Sequence, residues 1–400
     1  MGNIIKNDEK FRCTGCRVCE KVCPQEAISF FLDTEGFNIP KVDEEKCINC
    51  DLCVKRCPQI NDNITLYNKL DKAEVYAAIL KDKEILNEST SGGIFSALSI
   101  SILNKGGIVV GCNMNEQLQV NHIVVDSVKD LKKLRGSKYV QSDVLNTYIT
   151  AKKELDKGRY VLYTGTPCQI NGLRSYLNKE YDKLFTVDLV CHGVPSPKLF
   201  QEYIKFIEKK NNERVNRFDF RYKGTIGYGL NCRISLDSKK IIKAYSCDSY
   251  YKSFIESLTY REACYSCKYS NTNRVGDITL GDFWGLENFR SDIKTKDGVS
   301  LVILNTNKGQ ELFRSIDKYI NKYNSTMDEA VYAQKNLKEP SFRSSIRDNI
   351  YVDLEKLGYE KAMKKNIKVN GSIYNYIFLN IGYERRQKIK LALKRVKGIN

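Results

Sequence analysis

Cys13-Thr14-Gly15-Cys16-Arg17-Val18-Cys19-Glu20-Lys21-Val22-Cys23-Pro24 decides the reading of this chain, because residues 47–58 repeat its spacing and final proline as Cys47-x2-Cys50-x2-Cys53-x3-Cys57-Pro58. The two runs hold eight of the fifteen cysteines. Three thiolates at this spacing can wrap one cube of iron and sulfide from a single tight loop, while the fourth, carried off by the helix that follows, reaches the other cube. The ligand sets should therefore cross: Cys13, Cys16 and Cys19 with Cys57 for one 4Fe–4S cluster, and Cys47, Cys50 and Cys53 with Cys23 for the second.

This is the run of the bacterial two-cluster ferredoxins. Zinc also takes Cys-x2-Cys pairs, but it needs four ligands per ion and gives no reason for a third cysteine and a terminal proline, twice over. Disulfides are disfavoured too. The chain opens Met1-Gly2-Asn3-Ile4-Ile5-Lys6 without an apolar signal segment, so a reducing, cytoplasmic location is expected. Between the runs, residues 27–42 read as two short strands around Thr34-Glu35-Gly36. Residues 1–62 form the expected ferredoxin-like domain, and the polar stretch 63–72 a linker.

The chain has 400 residues, room for two or three domains, and lacks the roughly 18 unbroken apolar residues of a membrane helix. Its net charge of +17 is uneven. Residues 1–60 carry nine Lys/Arg against ten Asp/Glu, whereas residues 341–400 carry fourteen against five. No nucleic-acid motif accompanies the excess, so no nucleic-acid partner is expected. Residues 384–397, rich in Lys and Arg, read as a basic surface helix suited to peripheral membrane or partner contact.

From Ala73 onward, strand-like runs alternate with helical ones: strands near 74–80, 107–111 and 121–126, helices near 94–103 and 142–155. Ser91-Gly92-Gly93 stands at a helix start, where backbone N–H groups suit a phosphate. Neither a Gly-x-Gly-x-x-Gly fingerprint nor a Walker A loop is present; Gly224-x2-Gly227-x-Gly229 has the wrong order.

A strand at 159–163 runs into Thr164-Gly165-Thr166-Pro167-Cys168-Gln169, where Thr166 caps a helix, Pro167 takes its first position and Gln169 completes a capping box. The next strand, 184–190, ends in Cys191-His192-Gly193-Val194-Pro195, ahead of a helix with Leu199, Tyr203 and Phe206 inward. Strands joined by one helix should be parallel neighbours, which puts Cys168 and Cys191 together at the carboxyl edge of the sheet. Cys264-Tyr265-Ser266-Cys267 supplies a further pair, followed by Asp277 and Gly281-Asp282-Phe283-Trp284-Gly285. A four-thiolate cluster, a zinc site and four unrelated buried thiols all remain open on spacing. Cys112, Cys232 and Cys247 read as core cysteines, and His122, inside a strand, as packed. His192 and Asp282 are the candidate catalytic proton donors, with Asp277 beside them.

Thr164 to Gln169, Cys191 to Ser196, Cys264-x2-Cys267-x-Tyr269 and Asp277 to Gly285, in this order, resemble the family of coenzyme F-420 hydrogenase/dehydrogenase beta subunits, over about residues 73–323. The resemblance implies FAD beside a 4Fe–4S cluster held by Cys168, Cys191, Cys264 and Cys267. Ser91, Gly92, Gly93, Gly136, Ser137, Lys138, Tyr139, Thr164, Gly165 and Thr166 would be the flavin's neighbours. It also implies an electron-transfer partner, such as a ferredoxin or a component of a hydrogenase or reductase complex, and a small-molecule acceptor or deazaflavin.

The expected fold class is α+β and α/β multidomain. A two-cluster ferredoxin-like domain is followed by an α/β flavin domain with a parallel or mixed sheet over 73–323, then a basic, mostly helical extension over 324–400. The expected function is an iron–sulfur flavoprotein oxidoreductase; the alternative is a non-catalytic electron-relay subunit.

Overall fold

The computed structural model describes residues 13–61 and 69–381, together with 385 and 389. In the first segment the third cysteine of each run sits in a one-turn helix, Cys19 in α1 (Val18–Lys21) and Cys53 in α2 (Leu52–Lys55). Left-handed residues recur at equivalent places before them: Gly15 and Arg17, then Asn49 and Asp51. For a residue with a Cβ that backbone is unfavourable by about 1–2 kcal/mol, so its repetition marks two loops curled in the same way. Strands β1 (Ile28–Leu32) and β2 (Asn38–Val42) form the expected hairpin, paired from Ile28↔Val42 to Leu32↔Asn38.

The remaining strands are β3 (Lys69–Leu80), β4 (Ile108–Met114), β5 (Val120–Val125), β6 (Val161–Gly165), β7 (Leu184–Leu189), β8 (Val215–Phe220), β9 (Asn231–Leu236), β10 (Lys240–Ala244), β11 (Ile278–Asp282), β12 (Ser300–Thr306) and β13 (Ile320–Ser325). Eight of them make one mixed sheet in the order β13-β3-β12-β11-β7-β6-β4-β5, with β4, β6, β7 and β11 parallel. Period-two alternation places helices on both faces. Leu162 of β6 faces the core that holds Ile94, Leu98 and Ile102 of α4 (Ile94–Asn104), which follows the short α3 (Lys83–Glu88). Val161 and Tyr163 face the opposite core, with Tyr148, Ala151 and Leu155 of α5 (Thr147–Asp156) and Ile170 and Leu173 of α6 (Pro167–Leu177).

A second, antiparallel sheet, β10-β9-β8, packs with α7 (Pro197–Asn211) and α8 (Ser249–Ile255) around an aromatic core that includes Phe200, Tyr203, Phe218, Phe220, Tyr250 and Tyr251. After α9 (Asn307–Arg314) and α10 (Met327–Tyr332), helices α11 (Ile346–Leu357) and α12 (Tyr359–Asn366) bury Ile350, Tyr351, Tyr359 and Met363 in that same core.

Three sequence expectations shift. The strand begins at Lys69, inside the expected 63–72 linker, because Lys69 pairs with Thr306 past an irregularity in the ladder. The expected helix from Ser142 starts at Thr147, since Asp143 first bridges Asn121 of β5 and Leu145 is left-handed. The cut at 324 falls within β13, and residues up to Ile367 belong to the core rather than to an extension. Helix α13 (Ser372–Asn380) contributes no buried residue and leaves Ile373 and Tyr376 exposed. The basic run 384–397 lies outside the described residues apart from Arg385 and Ile389. Among the described residues no helix is long and apolar enough to cross a membrane.

Candidate iron–sulfur and redox site

In the first segment Cys23 joins Cys47, Cys50 and Cys53 around one pocket, lined also by Ile28 and Val42. The other fourth cysteine, Cys57, is instead a main electrostatic neighbour of Cys16, whose pKa burial pushes up first and Cys57 and Cys13 push further. Cys19 is driven up in the same way, by burial and then by Cys16, Cys13 and Cys57. Backbone N–H groups already point at two sulfurs, Gly15 N to Cys13 Sγ at 3.4 Å and Ala27 N to Cys23 Sγ at 3.3 Å. The groups differ in depth: Cys16 and Cys19 are buried, whereas Cys50 is exposed.

The second set is assembled by the sheet edge. Gly165 of β6 pairs with Asp188 of β7, so the residues just beyond these strands, Cys168 and Cys191, are neighbours. The Thr166–Gln169 capping box is formed and puts Cys168 in the first turn of α6, with Thr166 Oγ1 3.1 Å from Cys168 Sγ. The Cys264 loop is drawn back over β7 by a bridge between Pro195 and Tyr260 and by Arg261 N donating to Val194 O. Gly193 permits this: its φ is +135°, and a Cβ there would meet the Tyr260 ring at 2.2 Å. The four thiols share one environment. Burial raises Cys168 to about 11, with Cys267 adding to the rise against Thr166; burial, Cys267 and Cys168 raise Cys264 to about 12. Burial, then Cys264, Cys168 and Cys267, push Cys191 well up. Among the described residues, no three His, Cys, Asp or Glu side chains gather tightly enough to hold a single metal ion.

The two sets meet at α6. Gly172 lies one turn beyond Cys168 on the same helix face, and a Cβ on it would come within 3.1 Å of Cys16 Cβ and 3.4 Å of Cys16 Sγ. Arg261 ties the parts together, Nε donating to Cys13 O at 2.6 Å, Nη2 to Asn38 O at 2.8 Å and Nη1 to Gln141 Oε1 at 3.1 Å. Salt bridges Arg17–Asp143 at 2.7 Å and Arg347–Glu35 at 2.6 Å add to this junction.

Further along the same edge, Asp282 at the end of β11 holds Arg221, with Nη1 to Oδ2 at 2.5 Å. Arg221 is buried and left-handed, lies 4.9 Å from the Tyr228 ring centroid and 5.0 Å from that of Trp284, and donates to Tyr139 Oη at 3.3 Å. His192 is exposed on this face; the protein crowded around its ring lowers its pKa, Asp282 opposes the shift, Arg221 adds to it, and Asn336 bonds the ring.

The expected flavin neighbours divide into two places. Thr90 Oγ1 accepts Ser137 N at 2.9 Å, joining 91–93 to 136–139, and Lys223 Nζ donates to Ser91 O at 2.8 Å. Thr164, Gly165 and Thr166 lie instead beside Cys168; Thr164 Oγ1 donates to Val110 O. Gly92 N–H already donates to Ser300 Oγ at 3.0 Å, and Ser91 Oγ to Val299 O at 2.8 Å. Lys138 Nζ donates to Leu134 O and Arg135 O, and burial lowers it to about 8. His122 is packed between Ser142 Oγ and Thr164 O, and burial lowers it to about 4. Asp277 accepts from Thr186 and Thr306 deep in the sheet, a structural place. Cys232 is buried in the aromatic core, while Cys112 and Cys247 are half-buried. Spacing alone does not mark Arg221, Lys223, Gly172 or Asn336; for the first two, the available signal is a pair of cations just ahead of Gly224 in Arg221-Tyr222-Lys223-Gly224.

Comparison with known proteins agrees with this anatomy. The N-terminal and C-terminal family models of the coenzyme F420 hydrogenase/dehydrogenase beta subunit match residues 75–148 and 158–326, and the 4Fe-4S dicluster domain model matches 12–60. An F(420)H(2) dehydrogenase subunit of Methanosarcina mazei is 26% identical over 201 residues, 48% of this chain and 46% of that protein. Coenzyme F420-dependent sulfite reductase of Methanocaldococcus jannaschii is 24% identical over 253 residues, 58% of this chain and 35% of that protein. The chain thus spans less than half the length of either curated relative. A chain of the F420-reducing [NiFe] hydrogenase complex from Methanosarcina barkeri aligns with a TM-score of 0.44 at 20% identity, over 74% of this chain and 91% of that one. The chain belongs to the family of coenzyme F420 hydrogenase/dehydrogenase beta subunits and carries a 4Fe–4S dicluster domain at its N-terminal side.

Proposed function

We propose that the chain is an iron–sulfur flavoprotein oxidoreductase: electrons enter at residues 13–61, pass to a third 4Fe–4S cluster on Cys168, Cys191, Cys264 and Cys267, and reach FAD beside it. The observation that carries this reading is the meeting of those four part-buried thiols from three chain segments, with Cys16 packed one helical turn from Cys168. A metal binds thiolates and displaces their protons, and four thiols brought together from three segments supply the complete donor set of one cluster. Contact orders the path: Cys50 stands at the surface, Cys16 is buried, and Cys16 packs against α6 one turn from Cys168.

FAD would convert single electrons into a hydride. The residues beside Arg221 fit such a group. Among the described residues, Asn231 Nδ2, Asn231 Oδ1 and Tyr251 Oη are buried without hydrogen-bond partners, and buried polar groups ordinarily have them. Tyr228 and Trp284 supply aromatic faces. Because the Gly92 N–H is already engaged, a pyrophosphate would approach from Gly136, whose Cβ position is open. His192, whose pKa its neighbours lower, would hold or move the proton, while Asp282 orients Arg221 rather than donating. The relatives' names point to coenzyme F420 as the class of organic acceptor, and to a redox-protein partner for the dicluster segment.

Anaerobically purified protein should contain about twelve irons, an equal amount of sulfide and one flavin per chain. About eight irons with no flavin taken up would sink the reading. Turnover of coenzyme F420 with only an artificial electron donor would reject a pure relay.

A further inference from the structure

Helix α13 reverses the usual sidedness of a surface helix. Residues Ser372 to Asn380 carry no charge, and the helix sends a polar side chain inward. Asn375 Oδ1 accepts from Ala244 N at 2.9 Å, and Asn375 Nδ2 donates to Ile242 O at 3.1 Å. Both partners lie on β10, the outer strand of the three-stranded sheet, so one side-chain amide pairs that strand's free edge as another backbone would. Just ahead of the helix, Asn370 N donates to Ser246 O at 2.8 Å. The apolar residues face out. Ile373, Tyr376 and Ile377 follow the i, i+3, i+4 spacing of one helix face and are 76%, 70% and 51% exposed.

Single exposed apolar side chains are ordinary, but a whole uncharged apolar face marks a docking surface. Charge narrows what docks there. Residues 361–400 carry eleven Lys/Arg against one acidic residue, Glu384. In sequence α13 lies between Lys364 and Lys368 on one side and Arg385 on the other, all three exposed. A second copy would set this positive charge against itself. The face is also small, about 13 Å long and about 10 Å wide, far short of the roughly 800 Å² that each partner buries in a stable protein interface. An anionic bilayer suits both features: Lys and Arg are drawn to its surface, while Tyr and Ile settle at headgroup depth. Among the described residues no helix can cross a membrane, so the contact would lie in the plane of the surface.

We propose that α13 docks the protein on an anionic phospholipid bilayer. Ile373, Tyr376 and Ile377 enter the headgroup layer toward the acyl chains, and the basic residues that precede and follow the helix hold it among the headgroups. Asn375 sets the orientation, because it ties the opposite side of the helix to β10. The inference stands apart from the third cluster and the flavin.

The test is flotation of the full-length holoprotein with vesicles of phosphatidylcholine alone or with about one-third phosphatidylglycerol, at about 0.05 M and about 0.5 M salt. Wild type should float with the anionic vesicles at low salt, lose most of that binding at high salt, and leave the neutral vesicles bare. The double variant Ile373→Ser, Tyr376→Ser removes no buried group. It should keep its iron content and thermal midpoint while its affinity for anionic vesicles falls at least about tenfold. Val128→Ser, at an exposed apolar residue beyond β5, should bind as wild type does. Flotation with neither vesicle, equal flotation with both, or a double variant that binds like wild type overturns the proposal. So does a wild-type dimer that the double variant breaks in light scattering, since the face would then belong to a second copy.

Discussion

Replacing Gly172 with alanine tests whether close contact at α6 is what joins the dicluster segment to the second thiol site. Alanine is the better helix former by about 1 kcal/mol, so on an open helix the change would stabilise. Here the new Cβ meets Tyr148 Oη at 2.7 Å, Cys16 Cβ at 3.1 Å and Cys16 Sγ at 3.4 Å. Tyr148 cannot swing away freely, because it is fully buried and donates to Gln169 O at 2.8 Å. Helix α6 is pinned by Ile170 and Leu173, so the Cys16 loop has to give way. Overpacking of this kind costs about 1–3 kcal/mol, which outweighs the propensity gain in most of its range and leaves a net loss of up to about 2 kcal/mol. Thermal unfolding of the holoprotein and EPR of its reduced clusters would read the two consequences. The expected result is a lowered midpoint with weaker magnetic coupling between the Cys16 cluster and the third cluster, at full iron content. Gly371→Ala, with φ −74° and nothing near its Cβ position, should change neither. Unchanged stability and coupling in Gly172→Ala would refute the contact as the electron bridge.

Exchange of the fourth ligands should give crossed phenotypes: Cys57→Ala should remove the buried cluster signal and Cys23→Ala that of the exposed Cys50 cluster, each lowering iron by about four, and same-run losses would contradict the pairing. Arg221→Ala leaves Asp282 without its partner and should cost about 3–5 kcal/mol while weakening flavin retention; a neutral effect on both would remove Arg221 from the site. Burial holds folded His122 near about 4, below its ordinary 6.5. The unfolded state therefore takes up the proton first, so the contribution is complete above pH 6.5 and fades as pH falls toward 4. The slope approaches about 1.4 kcal/mol per unit, and His122→Gln should flatten a stability profile measured from pH 7.5 to 5.5.

Local chemistry was legible in the sequence and long-range chemistry was not. The doubled cysteine run, the hairpin and the Thr166–Gln169 capping box each lie within a few residues, where spacing decides geometry. Parallel β6 and β7 followed from one connecting helix, which is how Cys168 and Cys191 could be paired on paper. Arg221 and Asp282 are 61 residues apart on different sheets, and no local pattern joins them. Gly172 looks like a weak point in a helix until Cys16 is seen against it. Ser91-Gly92-Gly93 reads as an open anion cradle, but Ser300, brought alongside by the β3–β12 pairing, has taken the Gly92 N–H. The integration of α11 and α12 depends on an aromatic-rich core gathered from Phe37 to Ile367, beyond any periodicity argument.

The most direct test of the account is iron and acid-labile sulfide per chain in anaerobically purified wild type and in Cys264→Ser. Cys264 sits far from both cysteine runs in sequence and, by its electrostatic neighbours, inside the second thiol site. The expected result is about twelve irons falling to about eight, with the signals of the two dicluster clusters intact and flavin reduction through them slowed sharply. Equal iron in the two proteins, with equal flavin reduction, would contradict it.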